Sequence, residues 1–276
     1  KKYSKKKKTA KKKVDKKKVA KKNVAKKKVA KKKTAKKKKK TASTSQPTSD
    51  FAGFPTDLFQ FLVELGLNNE REWFEPRKQR YEDSVRTPAL AFIRAVGSRL
   101  PEISSHFVAI DKKVGGSLMR PYRDVRFSKD KTPYKTNVGI QFRHKTGKDV
   151  HAPGLYVHLE PGDIFIGVGL WRPEPAALAE IRRRITEDPD TWQQIRDEPS
   201  FGELFALQGE SLKRSPRGVD PEHPHIEDLK RKDHIAVATL SSSAVTGPGA
   251  VDEVMRCFEA SRDYLHFLCE AVGVTF

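Results

Sequence analysis

Two runs of alternating apolar residues, joined by a four-residue turn, constrain this chain more than any other feature. Leu155, Val157 and Leu159 alternate with polar positions, Glu160-Pro161-Gly162-Asp163 follows, and Ile164, Ile166, Val168 and Leu170 resume the alternation. A period of two places successive side chains on opposite faces of a strand, and Pro-Gly at the centre of a turn reverses the chain. The segment therefore predicts an antiparallel hairpin with one apolar face. Val138, Ile140 and Phe142, alternating with Asn137, Gly139, Gln141 and Arg143, predict a third half-buried strand.

Helical periodicity flanks this core. Leu58, Phe61, Leu62 and Leu65 form a stripe behind Pro55-Thr56 that Gly66 should end, and Asn68 or Asn69 is placed to cap a second helix that Pro76 breaks or restarts. Thr87-Pro88 reads as an N-cap and first-turn pair before Ala89, Phe92, Ile93, Val96 and Leu100. Helices follow through Leu178, Ile181 and Ile185 and around Trp192, with strands near 203–208 and 234–240 and one long helix from Val251 to Val272. Trp171 and Trp192 read as core residues. The fold class is α+β: one domain, a central mainly antiparallel sheet packed by N-terminal and C-terminal helices. No glycine pattern of a dinucleotide or P-loop site follows a strand, because Gly115-Gly116-Ser117 lacks the spacing.

Charge divides the chain in two. Residues 1–49 hold 25 lysines, no arginine and one acid, Asp15; the remaining residues hold 31 basic against 34 acidic side chains. All of the positive excess therefore lies in the tail, and a polyanion could be drawn to the rest only by a local patch. The tail repeats KKKVA, KKNVA, KKKVA and KKKTA over residues 16–35. A five-residue period matches no helical stripe, and like charges repel, so residues 1–42 are expected to be a disordered lysine-rich tail. Residues 43–53 read as a polar linker and 54–276 as the domain. Lysine ammonium groups suit phosphates and read bases poorly, which points to non-specific, salt-sensitive binding of DNA or RNA. The composition is similar to the lysine/alanine-rich tails of linker histones and of some bacterial histone-like proteins.

No membrane partner is expected, since no apolar run approaches a span and the first residues carry no apolar signal core. The chain opens on Lys1 rather than Met and is read as a piece or a late start. Cys257 and Cys269, twelve residues apart on one helix, are too distant to bridge, which fits a reducing compartment. The expected location is cytoplasmic and nucleoid-associated, or nuclear in a eukaryote.

Residues 111–135 are the densest chemical stretch of the domain, with eight basic residues against three acids. Arg120, Arg123, Arg126, Lys129, Lys131 and Lys135, interleaved with Tyr122 and Tyr134, are the candidate anion-binding set, because guanidinium forks and phenol hydroxyls recognise phosphate. The alternative is a loop pinned by its own salt bridges through Asp124 and Asp130. Lys213, Arg214 and Arg217, with the LKRKD run at 229–233, either complete such a pocket or cover solvent faces. His144, His151, His158 and Glu160 are the candidate catalytic acids or bases, with His158 sharing a strand face with Tyr156 and Glu160. No metal site and no cofactor are expected; the His223/His225 cluster reads as a turn.

The runs RPYRDVRFSKDKTPYKTNVGIQFRH at 120–144, HAPGLYVHLEPGDIFIGVGLWRPEP at 151–175 and IEDLKRKDHIA at 226–236 resemble an uncharacterised family known as domain of unknown function 2461, and NNEREWFEPRKQRYE at 68–82 is similar too. The resemblance covers roughly residues 54–272 and implies no activity, substrate or catalytic residue. The sequence thus leaves three readings: an anion-binding domain tethered to nucleic acid, an enzyme on a phosphorylated or nucleotide substrate, and a structural domain with a salt-bridged loop.

Overall fold

A computed structural model describes residues 51–147 and 152–276 of the chain. The lysine-rich tail, the linker up to Asp50 and His151 lie outside the described residues. Phe51 packs edge-on against Phe54 and Phe92 at 4.9 and 5.3 Å, so the packed body includes Phe51, inside the stretch expected as linker.

Helix α1 (Thr56–Leu67) turns Leu58, Phe61, Leu62 and Leu65 inward. It runs one residue past Gly66 and is closed by Asn68, whose Nδ2 donates to the Glu64 carbonyl at 2.9 Å. Asn68 therefore ends one helix and does not open the next: α2 (Arg71–Phe74) starts behind Glu70 with no side-chain cap. Pro76 lies in a 3-10 turn, Glu75–Arg77, between α2 and α3 (Lys78–Tyr81). A π turn over Glu82–Arg86 then leads without a break into α4 (Thr87–Ile103). Thr87 is itself helical, at φ −60° and ψ −48°, and is no N-cap. The wider π turn removes the clash between the Pro88 ring and the carbonyl four residues back, which is why the helix continues through a proline.

Six strands follow: β1 (Phe107–Val108), β2 (Val138–His144), β3 (Gly154–Glu160), β4 (Asp163–Leu170), β5 (Ala206–Gln208) and β6 (His234–Thr239). Their order is β1-β2-β3-β4-β6-β5, and every pairing is antiparallel. The expected hairpin joins β3 to β4, with Glu160 opposite Asp163 and Leu159 opposite Ile164. Gly162 takes φ +84° in the turn, a region open to glycine at no steric cost.

Between β4 and β6 the chain forms α5 (Pro175–Glu187), α6 (Pro189–Arg196), α7 (Pro199–Gly202) and α8 (Ile226–Leu229); after β6 come α9 (Ser242–Thr246), α10 (Ala250–Ala260) and α11 (Arg262–Ala271). The expected long C-terminal helix is thus two, broken at buried Ser261 (φ −91°, ψ 2°), whose hydroxyl donates to the Phe258 carbonyl at 2.8 Å. Cys257 and Cys269 fall one on each helix, both free and buried. No described helix is long and apolar enough to cross a membrane.

The helices cover one face of the sheet. Leu155, Val157, Leu159, Ile164, Ile166, Val168 and Leu170 are buried there, with α10 and α11 against β4 and α1 against β3. The opposite parity (Tyr156, His158, Glu160, Phe165, Gly167, Ile235 and Val237) is only half-buried. Trp192 is fully buried, as expected, whereas Trp171 is 57% exposed just past β4, with the Arg172 guanidinium 4.7 Å from its ring centre. It follows the last β4 residue and turns out of the sheet, so apolar character misplaced it.

His234 is buried at the β6 end of the core, with no hydrogen-bond partner for either ring nitrogen among the described residues. Burial pushes its pKa down to about 4, so the folded protein holds it neutral. Above pH 6.5 neither state is protonated there; below it the unfolded chain takes up the proton first. Stability should therefore fall between pH 6.5 and 4, by about 3 kcal/mol over the window. Urea midpoints measured across that range should show the loss, and His234→Leu should flatten it; an unchanged acid limb in the variant would place its origin elsewhere.

Candidate functional site

The half-open face carries a row of polar side chains set by strand parity. Tyr156, His158 and Glu160 lie two residues apart on β3, and pairing puts Gly139 on one side of His158 and Phe165 on the other. Phe165 stacks on the imidazole at 4.5 Å and 9°, and Asn137 Nδ2 and the Tyr156 hydroxyl approach Nδ1 at 3.2 and 3.0 Å. Asn137 can only donate through that nitrogen atom, which assigns Nδ1 as acceptor and leaves the proton on Nε2. Nε2 lies 3.2 Å from Glu160 Oε2, and Thr136 Oγ1 donates to the other carboxylate oxygen at 2.6 Å.

Asp163 completes this group. The register that pairs it with Glu160 puts it on the same face, and the donor atoms of His158, Glu160 and Asp163 all lie within 4.8 Å of one another. Sequence reasoning missed Asp163 and expected no metal site. The signal was present in the hairpin itself, since residues flanking a two-residue turn face the same way. Burial pushes the Tyr156 phenol up to about 12, with the charges of Glu160 and Asp163 adding, so it is a neutral hydroxyl.

Gly139 is the floor between this row and the basic segment. A Cβ there would stand 2.8 Å from the Tyr156 hydroxyl and 2.9 Å from Met119 Sδ, so only glycine lets the two meet above the strand. Met119 belongs to a strap along the outer edge of β2: Gln141 N donates to Ser117 O and Met119 N to Gly139 O, each at 2.9 Å. Lys135 Nζ lies 3.9 Å from the same sulfur. Burial lowers the Lys135 pKa and the nearby Arg120 charge lowers it further. Among the described residues no carboxylate pairs with either cation. Beside Lys135 is a recess of about 350 Å³ lined by residues that include Arg123, Asp130, which is paired with Arg123, Tyr134, Lys135, Thr136 and Asn137.

The basic segment does not converge as one cradle. Residues 122–134 leave and rejoin the body at a Tyr122–Tyr134 bridge, where Arg123 N donates to Pro133 O at 2.9 Å and Lys135 N to Pro121 O at 2.7 Å. Asn69 clamps this base by both donating to and accepting from the Tyr134 backbone at 3.0 Å, and Phe74 stacks on the Tyr134 ring at 4.2 Å. Inside the excursion Arg123 binds Asp130 and Thr132, Arg126 forks onto Asp124 at 2.7 and 2.9 Å, and Lys131 Nζ donates to Val125 O. These three cations pin the loop. Lys129 is exposed on it, and Tyr122 is exposed beside buried Tyr134. At the base, Lys135 is half-buried with no carboxylate in ion-pair range among the described residues, while Arg120 is exposed and its charge acts on both Lys135 and Asp124.

His144 is also elsewhere. It shares the core-facing parity of Ile140 and Phe142, and its nitrogens meet Thr146 Oγ1 at 2.6 Å and the Thr275 carbonyl at 2.7 Å, fastening the C-terminus to β2. His225 is buried between Arg196 and the Pro189 carbonyl. A larger recess of about 780 Å³ lies between α6–α7 and α10–α11, but its cations are engaged at its rim, Arg256 with Glu253 and Arg262 with Glu259.

The chemistry open to the sheet-face group is coordination of a cation by one imidazole and two carboxylates, and recognition of an anion by Lys135 and Arg120. A family model described as a conserved hypothetical protein, DUF2461, matches residues 57–267. No curated protein matches the chain.

Proposed function

The chain belongs to the DUF2461 family, and from the arrangement at the base of its basic segment we propose that the domain binds a small anionic ligand, phosphorylated or carboxylated, in the recess beside Lys135. One observation carries the reading: Lys135 is half-buried against Met119, beside a second cation, with no carboxylate partner among the described residues. A desolvated ammonium without a counter-charge is costly, and a bound anion would relieve that cost. Asn137 and Thr132 line the recess next to Lys135 with neutral polar groups, and the recess has room for a ligand of small-metabolite size. In this reading Arg123 and Arg126 shape the loop, and Arg120 with Lys135 bind. The lysine-rich tail, by its charge, tethers this domain to DNA or RNA without regard to sequence.

Thermal-shift and calorimetric titration with phosphorylated and carboxylated metabolites tests the site on the full chain. Lys135→Ala and Arg120→Ala should each weaken binding about tenfold or more, the weight of a charge-assisted hydrogen bond. Arg126→Ala should leave it unchanged. Both chains carry the tail, so its contribution cancels. Equal affinity in wild type and Lys135→Ala would remove the anion site from the recess beside Lys135.

A further inference from the structure

We propose that His158, Glu160 and Asp163 hold a divalent cation at the β3–β4 hairpin, next to the anion site; the inference rests on that reading for its use of the ligand, and stands on its own ligands for the metal. The three donors come from two paired strands joined by a two-residue turn, so their separation is set by backbone register rather than by a mobile loop. A cation about 2.1 Å from each donor would bring them to roughly 3–3.5 Å apart, a small closure from the 4.8 Å within which they already lie. His158 and Glu160 already approach to 3.2 Å.

The surroundings match what metal ligands need. The imidazole is held at its far nitrogen by Tyr156 and Asn137 and on its face by Phe165, which leaves Nε2 toward the carboxylates. Thr136 orients Glu160 through the oxygen that does not face His158. Among the described residues no lysine or arginine forms a salt bridge with Glu160 or Asp163, so two carboxylates converge on one imidazole with no basic side chain paired to them. A divalent charge balances that pair.

Loading requires a change of tautomer and no net proton release from the imidazole. The Nε2 proton leaves as the lone pair turns to the metal, and Nδ1 takes one up. The Tyr156 oxygen, until then a donor, accepts from Nδ1–H, and the Asn137 amide turns to present its oxygen. One nitrogen and two carboxylates suit manganese or zinc better than calcium, which takes oxygen ligands only. Three protein ligands leave coordination positions open. Thr136 and Asn137, which contact Glu160 and His158, also line the recess beside Lys135, so an anion there lies next to the cation site.

The test is Mn2+ binding to the full chain, read from the loss of the free-ion signal in electron paramagnetic resonance. The tail does not compete, since residues 1–49 hold one carboxylate, Asp15, and no histidine or cysteine. Wild type should take up one ion, and Asp163→Asn, Glu160→Gln and His158→Gln should each weaken it more than about tenfold, the order seen when a metal shell is disturbed. Asp163 is exposed in a turn, so its variant keeps the fold, and unfolding midpoints check the other two. Failure of wild type to bind Mn2+ or Zn2+, or wild-type affinity in Asp163→Asn and Glu160→Gln together, would overturn the site. Metabolite titrations with and without chelator separate the two readings. Anion binding that persists with no metal uptake ends the metal site alone, and metal uptake with no Lys135-dependent anion ends the anion site alone.

Discussion

An Asp228→Ala variant is expected to unfold at a Tm about 10 °C below wild type, from a loss of about 3–5 kcal/mol. Asp228 is buried on α8, and its carboxylate is the common acceptor for three donors. Oδ2 accepts from Trp192 Nε1 at 2.9 Å and from Arg196 Nη1 at 3.2 Å, and Oδ1 accepts from Arg231 Nε at 3.3 Å. Arg196 is shared with His225, whose other nitrogen meets the Pro189 carbonyl, so one acid ties α6, α8 and the entry to β6 together. Truncation leaves the buried Trp192 indole N–H without its acceptor, and Arg196 and Arg231 keep only Asp197 and the Gln208 carbonyl as oxygen acceptors. The penalty is mainly that of the orphaned donors, and it exceeds the net worth of the pairs themselves. Asp124→Ala is the control: its partner Arg126 is exposed and remains hydrated, so the midpoint should not move. Urea and thermal unfolding of both variants decide the matter. A wild-type Tm for Asp228→Ala would mean that water replaces the carboxylate without loss.

Removing residues 1–49 is expected to abolish salt-sensitive nucleic-acid binding. The tail holds 25 lysines, and the rest of the chain has more acids than bases. If it neutralises about 10 phosphates, the affinity falls with a log–log salt slope near −9, or about five orders of magnitude over a fourfold rise in salt. Mixed-sequence DNA and RNA should bind alike, because ammonium groups contact phosphate and do not read base edges. Filter-binding or fluorescence titrations of the full and shortened chains across a salt series test this. Equal slopes for the two would place the binding surface on the domain.

Strand parity was the most legible level of this sequence. It placed the β3–β4 hairpin, put His158 with Tyr156 and Glu160 on one face and, through Ile140 and Phe142, would have put His144 on the other. Helix ends were less legible, because they depend on neighbours that periodicity does not encode. Thr87-Pro88 has the composition of a helix start, yet a π turn lets the preceding helix run into it; Ser261 breaks a stripe that continues on both sides. The basic segment was hardest to read. Its charges are countable, but the return of Asp124 to Arg126 and of Asp130 to Arg123 depends on an irregular backbone. Of the charges left over, Arg120, Lys129 and Lys135, only Lys135 is half-buried, and it stands out only once those pairs are known.

The rims of the sheet bear on how copies of this chain behave when crowded together. Its outermost strands are two and three residues long, and the remaining rim of β2 is occupied by the Ser117–Met119 strap. A neighbouring copy thus finds only a few consecutive backbone donors and acceptors to pair with, which is how natural sheets resist fusing into continuous ribbons. Chains brought to high local density would remain separate folded units, each keeping its half-buried sheet face to itself.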